Sequence, residues 1–392
     1  MKKICMIVFA YYPEDERVRR EAEALDEAGY GIDVICLINK EQTKFERFNN
    51  INIYRLAIER RRKGKFLYIW QYFGFILKSF VKVSILYFHK KYSVVHIHNM
   101  PEVLVFSALI PRIFGAKVIL DMHDPMPELY MTKYNVSANH VAVSALICLE
   151  RLSSSFAHMV LTTNLAFIKL FLARSCKPGK IHIIMNSPQE SIFDNEYVSK
   201  STRPEISSRL FRIMYHGTIA ERNGLGLALQ AIDTARSNIP NIVFDVYGEG
   251  DFVAEFLRIR KLLNLEHVIN YFGHVPLEKI AEAIQGIDVG LIPNLLSPFT
   301  RINFPVRIFE YLSLNKPVIA PRTDGIRDYF DDNSIFYFES GDKRSLVDAL
   351  IAVYSNPSNR KNVLENGRNV YNKYQWKYEK LKLISCVKNL ID

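Results

Sequence analysis

Short apolar runs rich in β-branched residues alternate along the chain with charged, amphipathic stretches. ICMIVFA opens the series, a charged stretch from about Glu14 to Ala28 follows, and GIDVICLI comes next; VVHIH, AKVILDM and HMVLTT continue the pattern. Runs apolar on both faces suit strands covered on both sides, and their alternation with helical stretches predicts a parallel sheet flanked by helices. From Asn186 to Arg209 the periodicity stops in a polar segment with two prolines, which reads as a linker. The rhythm resumes with FRIMYHG, NIVFDVYG, HVINYFG, IDVGLIP, KPVIAP and SIFYF. The expectation is therefore an α/β chain of two doubly wound parallel-sheet domains, residues 1–186 and 210–374, joined by 187–209. A last stretch of helical period, 375–392, follows a helix expected from about Arg360.

Composition agrees with two cores: 392 residues, 49% of them hydrophobic. The five cysteines are scattered without CxxC spacing, which fits a reducing, cytoplasmic setting better than a disulfide framework. Two lysines ahead of the first apolar run resemble the start of a signal peptide. Pro13 and a dense charged segment follow without a small-residue cleavage site, so a buried first strand is expected instead.

Charge changes the picture in one region. Lys and Arg total 51 against 41 Asp and Glu, a net charge of +10, and residues 60–101 hold nine basic side chains and no acidic one. Such a patch wants an anionic partner. The same region contains the most aromatic stretch of the chain, Phe66 to Phe88. It is long enough to span a bilayer, but Lys78 and Lys82 would each cost roughly 2.5 to 3.5 kcal/mol at a membrane centre. A helix lying on an anionic membrane surface, aided by Trp70 and the clusters Arg60–Lys65 and Lys90–Lys91, is expected from 60–91. The alternative is a helix packed on its own sheet with its lysines at the rim. Nucleic acid is not expected as a partner.

Ligands of doubly wound sheets sit beyond the carboxyl ends of the strands, where helix N-termini gather. After the first strand the sequence is AYYPEDER rather than GxGxxG, so NAD or FAD is not expected. Gly248-Glu249-Gly250 comes nearest to that motif, but Val253 stands where the third glycine belongs. HGTIAERNG, which contains Gly217, is expected to open a helix with Arg222 in its first turn. A cation there is unfavourable unless an anion is shared, which marks a phosphate contact. In NFPVRIFEYLSLNKPVIAP, Pro305 is expected at the start of a helix, with Glu310 one turn further in and able to accept bonds from ligand hydroxyls. His123 and Asp124 follow the strand AKVIL. His96 and His98 share one strand face at a metal-site spacing, yet the segment offers no third ligand and no acidic partner, so no metal is expected.

Taken in order, PEDERVRREAEAL, DMHDPMPELY, YHGTIAERNGLGLALQA, VYGEGD, YFGHVPLEKIAEAIQGIDVGLIPN and FPVRIFEYLSLNKPVIA resemble the retaining nucleotide-sugar glycosyltransferases of family 4. The resemblance covers nearly the whole chain. It implies the GT-B fold, two Rossmann-like domains facing a central cleft, with the second domain holding most of the nucleotide and the C-terminal helix packing back on the first. Glu310 matches the second glutamate of the family's E-x7-E motif, which binds ribose. Gly248 to Gly250 and Phe272 to Val275, with His274, match stretches around the base and phosphates, and His123 matches a histidine facing the transferred sugar.

Two departures accompany the likeness. Ile302 stands where the first glutamate of E-x7-E belongs, and the family's phosphate-binding Arg and Lys should fall near Thr218 and Asn223. Arg222 and Arg307 are the neighbouring cations that could replace them. The site expected from the resemblance and the strand ends together comprises His123, Arg222 and Glu310 at the reacting centre. Around the donor it adds Gly217, Gly248, Gly250, His274, Val275, Phe304, Pro305 and Arg307. The chain has no DxD, so a nucleotide sugar, UDP-linked by the family's habit, is expected as co-substrate without a metal. The implied activity is retaining sugar transfer to a lipid-linked or other saccharide acceptor in bacterial surface polysaccharide synthesis, on the inner face of the membrane. The alternatives are an epimerase of the same fold and a non-catalytic sugar- or nucleic-acid-binding protein.

Overall fold

The computed structural model describes residues 1–39, 42–58, 65–193 and 210–392, without the side chains of 65–69. Most of the expected linker, 194–209, and the basic cluster at 60–64 lie outside the described residues. The chain divides into two compact units, Met1–Asn186 with Glu379–Asp392, and Ser187–Tyr378.

Among the described residues the first unit is built on eight strands: β1 (Lys3–Tyr11), β2 (Gly31–Leu37), β3 (Phe45–Phe48), β4 (Ile51–Leu56), β5 (Val94–His98), β6 (Lys117–Met122), β7 (Met159–Thr162) and β8 (Ile181–Ile183). Their order is β3-β4-β2-β1-β5-β6-β7-β8, all parallel except the β3–β4 pair. Sequence order reverses between β1 and β5, so the ends of these two strands open the crevice of this sheet. Helix α1 (Glu16–Glu27) follows β1. Asp15 caps it by accepting from the Val18 N–H, and Val18, Ala22 and Leu25 are buried. Strands β3, β4 and β8 escape the sequence reading. Phe45–Phe48 is an exposed edge strand with no apolar run, and Ile181–Ile183 is only three residues long.

Helix α2 (Lys65–Lys90) has two faces. Phe75, Ser79, Val83, Leu86 and Tyr87 are buried, whereas Trp70, Phe73, Leu77, Val81, Ile85 and Phe88 stand between 49% and 69% exposed. Steps of three and four residues put the second set on one stripe. The stripe continues onto α3 (Leu109–Ile113), where Ile113 is exposed and the rings of Phe88 and Phe114 meet at 5.3 Å. The lysines leave the stripe: Lys78 donates to the Ala57 carbonyl, Lys82 lies over the Tyr54 ring, and Lys90 pairs with buried Asp33 at 2.6 Å. Among the described residues, no helix is long and apolar enough to cross a membrane.

Among its described residues the second unit has six parallel strands in the order β11-β10-β9-β12-β13-β14. These are β9 (Phe211–His216), β10 (Ile242–Tyr247), β11 (Ile269–Tyr271), β12 (Val289–Leu291), β13 (Val318–Pro321) and β14 (Phe336–Phe338). All six coincide with runs read from the sequence. Here the order reverses between β9 and β12. The core joins the strands to the helices Leu225–Ala235 and Lys343–Ser355 through Ile213, Leu229, Ile232, Phe244, Leu346 and Leu350. The helix Trp376–Ile391 passes from one unit to the other. Its buried Glu379 accepts from the Met185 N–H at 2.8 Å, and Lys380 pairs with Glu27 at 2.9 Å, so its length from Glu379 belongs to the first unit.

Candidate active site

In the second unit three neighbouring strands end in glycines with positive φ: Gly217 after β9 (+114°), Gly248 after β10 (+131°) and Gly273 after β11 (+68°). The turns continue the sheet's hydrogen bonding beyond the strands, with Gly217 N–H to Tyr247 O, Gly248 N–H to Gly273 O, and Ile219 N–H to Glu249 O. Backbone lies against backbone here. A Cβ on Gly248 would stand 1.9 Å from the Gly217 oxygen, and one on Gly250 2.1 Å from the Ile219 oxygen. No other residue type fits such an approach. Gly217, Gly248 and Gly250 are thus brought together, and Gly273 carries the exposed His274 and half-buried Val275 to the same edge.

Arg307 and Glu310 join this edge from the helix Arg307–Ser313. Arg307 Nη1 donates to the His216 carbonyl at 2.6 Å, and its guanidinium lies 4.5 Å from the Tyr215 ring centre, beside Gly217. Glu310, 6% exposed, places Oε2 3.2 Å from Nε2 of His216. Burial, reinforced by the Arg307 cation, holds the His216 pKa well below its usual value, so the pair is a neutral imidazole beside a carboxylate. Tyr247 and Phe272 stack at 4.4 Å with Phe272 half exposed, offering an aromatic face next to the glycine turns.

Two positional expectations are corrected. Pro305 does not start the helix; it precedes the N-cap Val306, and Glu310 falls in the first turn. Arg222 lies in a separate single turn, Glu221–Asn223, and the helix behind it begins only at Leu225. Gly224 forces that break. Its φ is +71° and a Cβ would stand 1.8 Å from the Pro293 oxygen, where the loop after β12 crosses; Leu295 N–H donates to Arg222 O. Arg222 is therefore held at the point where strand order reverses. The Phe304 ring is committed to a cluster with Phe309, Tyr329 and Phe330, so this residue has only its backbone to offer a ligand.

In the first unit, His123 follows β6 and is 5% exposed, with its N–H donating to Asn99 Oδ1. Its Nε2 lies 3.4 Å from His98 Nδ1 and its Nδ1 3.5 Å from Asp121. Burial, with Arg17 and His98 beside it, outweighs Asp121 and lowers its pKa to about 3. A neutral histidine that stacks on a second one can accept or donate a single proton or hydrogen bond to a hydroxyl. Asp15 and Arg17, just past β1, complete the surroundings. Burial works against the Asp15 carboxylate, but the Arg17 cation and the bond from the Val18 N–H hold its pKa below the usual range.

The model of the glycosyl transferase 4-like domain matches residues 15–187, and that of glycosyl transferases group 1 matches 200–370. The chain belongs to the family-4 kind of GT-B glycosyltransferases. A sucrose-phosphate synthase structure from Thermosynechococcus elongatus superposes with a TM-score of 0.81 at 17% identity, over 100% of this chain and 99% of that one. Anabaena HepE in complex with UDP-glucose gives 0.74 at 13% identity, over 99% and 100%. Amylovoran biosynthesis glycosyltransferase AmsK of Erwinia amylovora is 22% identical over 46% of this chain and 43% of its own length. The phosphatidyl-myo-inositol mannosyltransferase of Mycobacterium leprae is 26% identical over 45% and 47%. Each match thus spans about half the length of these curated relatives.

Within this family-4 chain the sequence reading missed three groups. One is His216, whose place at the end of a buried strand is the signal for it. Asp121 and Glu21 were passed over too. Glu21 falls with Val18, Ala22 and Leu25 on the buried stripe of α1, where a carboxylate has to find a polar partner.

Proposed function

We propose that the chain transfers a sugar from a nucleotide diphosphate donor, UDP-linked, to a saccharide acceptor held at a membrane surface, with retention of anomeric configuration. One observation carries this reading: the glycine turns at Gly217, Gly248 and Gly273 converge with Arg307 and Glu310 on one strand-end edge. Glycines there let phosphates approach backbone, Glu310 accepts from ribose hydroxyls, and Arg222 with Arg307 offsets diphosphate charge. In the reaction the bond from the anomeric carbon to the diphosphate oxygen breaks and a bond to an acceptor oxygen forms. The acceptor's proton leaves with the diphosphate. Fixed cations stabilise the charge that grows on the leaving group, and His123 serves the sugar side by hydrogen bonding in its neutral form. No divalent metal is assigned to the donor.

Solved HepE carries UDP-glucose, which supports the donor class. The exposed stripe of α2 and α3 supports the membrane, together with a relative named for phosphatidyl-myo-inositol. A location on the inner face of the cell membrane and a role in surface polysaccharide synthesis belong to this proposal.

A panel of UDP-, GDP- and ADP-sugars, added without metal, tests the donor claim. UDP-sugars should raise the melting temperature, since a ligand of the native state alone stabilises it. No shift from any nucleotide sugar would remove the reading. Sedimentation with anionic and neutral liposomes tests the membrane claim separately. Binding to anionic vesicles should weaken in Trp70→Ser/Phe73→Ser. Binding to neither kind points to a soluble acceptor.

A further inference from the structure

The first unit contains a buried cluster that the proposed sugar transfer does not employ. Glu21 on α1, His96 and His98 on β5 and Asp121 on β6 are between 0% and 4% exposed. Each turns one donor atom into a group whose members all lie within 4.8 Å of one another. His96 Nε2 is 3.8 Å from Glu21 Oε2 and 3.6 Å from Asp121 Oδ2, and His98 Nδ1 is 3.6 Å from the same Asp121 oxygen. These separations are too long for hydrogen bonds. They lie slightly above the spacing of about 3.3 Å between donors placed about 2.0–2.1 Å from a tetrahedral ion.

The hydrogen-bond inventory of the cluster is incomplete. Neither ring nitrogen of His96 has a hydrogen-bond partner, and Glu21 Oε2 and His98 Nε2 also lack one. A buried polar atom left in that state has lost its hydration without a replacement bond. Two of them, His96 Nε2 and Glu21 Oε2, face each other beside Asp121 Oδ2 and call for a group that takes both at once.

We propose that Glu21, His96, His98 and Asp121 bind one divalent transition-metal ion of the zinc class. Two imidazoles and two carboxylates form an N2O2 set. The imidazoles favour such an ion over magnesium or calcium, and the two carboxylates match its charge. Every ligand is buried, so the site is closed and its role is structural. It fastens α1 to the carboxyl ends of β5 and β6 and fixes Asp121, which stands 3.5 Å from His123. Ligation through His98 Nδ1 takes the place of its present contact with His123. Local pattern does not reveal the set, because the acidic ligands come from positions 21 and 121, far from VVHIH.

The test uses the full chain without a histidine tag, with zinc chloride as the only added ion. After dialysis, elemental analysis should find about one zinc per chain. Chelation should lower the melting temperature and zinc should restore it. Cobalt in place of zinc should produce visible d–d absorption of a tetrahedral site. Glu21→Gln and His96→Gln should lose the ion, while His89→Gln, at an exposed histidine, should keep it. If His96→Gln fails to fold, His98→Asn and the metal content of the unaltered chain decide. No retained zinc, no response to chelation, or loss of the ion in His89→Gln would overturn the site.

Discussion

Both sheets reverse strand order at one point, and the residues gathered there differ in kind. At the ends of β1, β5 and β6 the first unit assembles ionisable side chains, His98 and Asp121 in the last two positions of their strands and Asp15, Arg17 and His123 beyond them. Beyond β9, β10 and β11 the second unit assembles backbone, with three glycine turns laid on one another and a single histidine–carboxylate pair behind them. Side chains can move protons and meet developing charge, whereas stacked turns make a fixed surface that accommodates a phosphate or a ring. On the proposed function the same architecture separates reactivity from recognition, and substitutions in the two units should fail differently.

The largest effect is expected where backbone meets backbone. Gly248→Ala brings a Cβ to 1.9 Å from the Gly217 oxygen at a φ of +131°. Gly29, just past α1, has a φ of +87° with nothing within 4 Å of the added Cβ. Gly29→Ala measures backbone strain alone, about 1 kcal/mol, and Gly248→Ala adds the clash, for roughly 3 kcal/mol or more. Urea denaturation of both gives the comparison. A Gly248→Ala penalty within about 1 kcal/mol of that of Gly29→Ala would show that the turns are not packed as described.

Next in size are the functional side chains, and here the two units should part. His123→Asn should lower turnover by roughly a hundredfold while nucleotide affinity stays unchanged, as for a group acting on the transition state. Glu310→Gln should weaken nucleotide binding by about tenfold, in line with about 1.5 kcal/mol for a bond to a charged group. Turnover at saturating donor should change little. Equal losses of affinity in both variants would erase the division of labour.

Much of this contrast was open to sequence reading and some was closed to it. All six strands of the second unit could be read because each is a compact apolar run ending in Gly, Pro or a polar cluster. Glycines at 217 and 248 announced turns for the same local reason. Phe45–Phe48 could not be read, because an edge strand lacks the apolar pattern that burial imposes. Pro305 misplaced a helix start by two residues, since a proline suits the residues just before a helix as well as its first. The Glu21–His96–Asp121 grouping was invisible because only sheet order makes β5 and β6 neighbours and sets α1 against them. Pairing across long separations is a property of topology, which local pattern does not encode.

The smallest effect concerns His216, and its sign distinguishes a neutral imidazole from an ion pair. Burial and Arg307 depress its pKa, with Glu310 the facing carboxylate. The unfolded chain takes up the proton near its ordinary value of about 6.5. Stability from this group is therefore fully present above about pH 6.5 and is lost as pH falls below it, because the unfolded state then binds more protons. Melting temperatures of the wild type should fall more steeply below that pH than those of His216→Gln, by up to about 1.4 kcal/mol per pH unit in free energy. Nucleotide affinity, by contrast, should show no inflection from His216 near pH 6.5, since the native imidazole stays neutral on both sides. An inflection there that disappears in His216→Gln would mean that the native ring titrates. The Glu310 carboxylate would then be held by a cation rather than by a neutral neighbour.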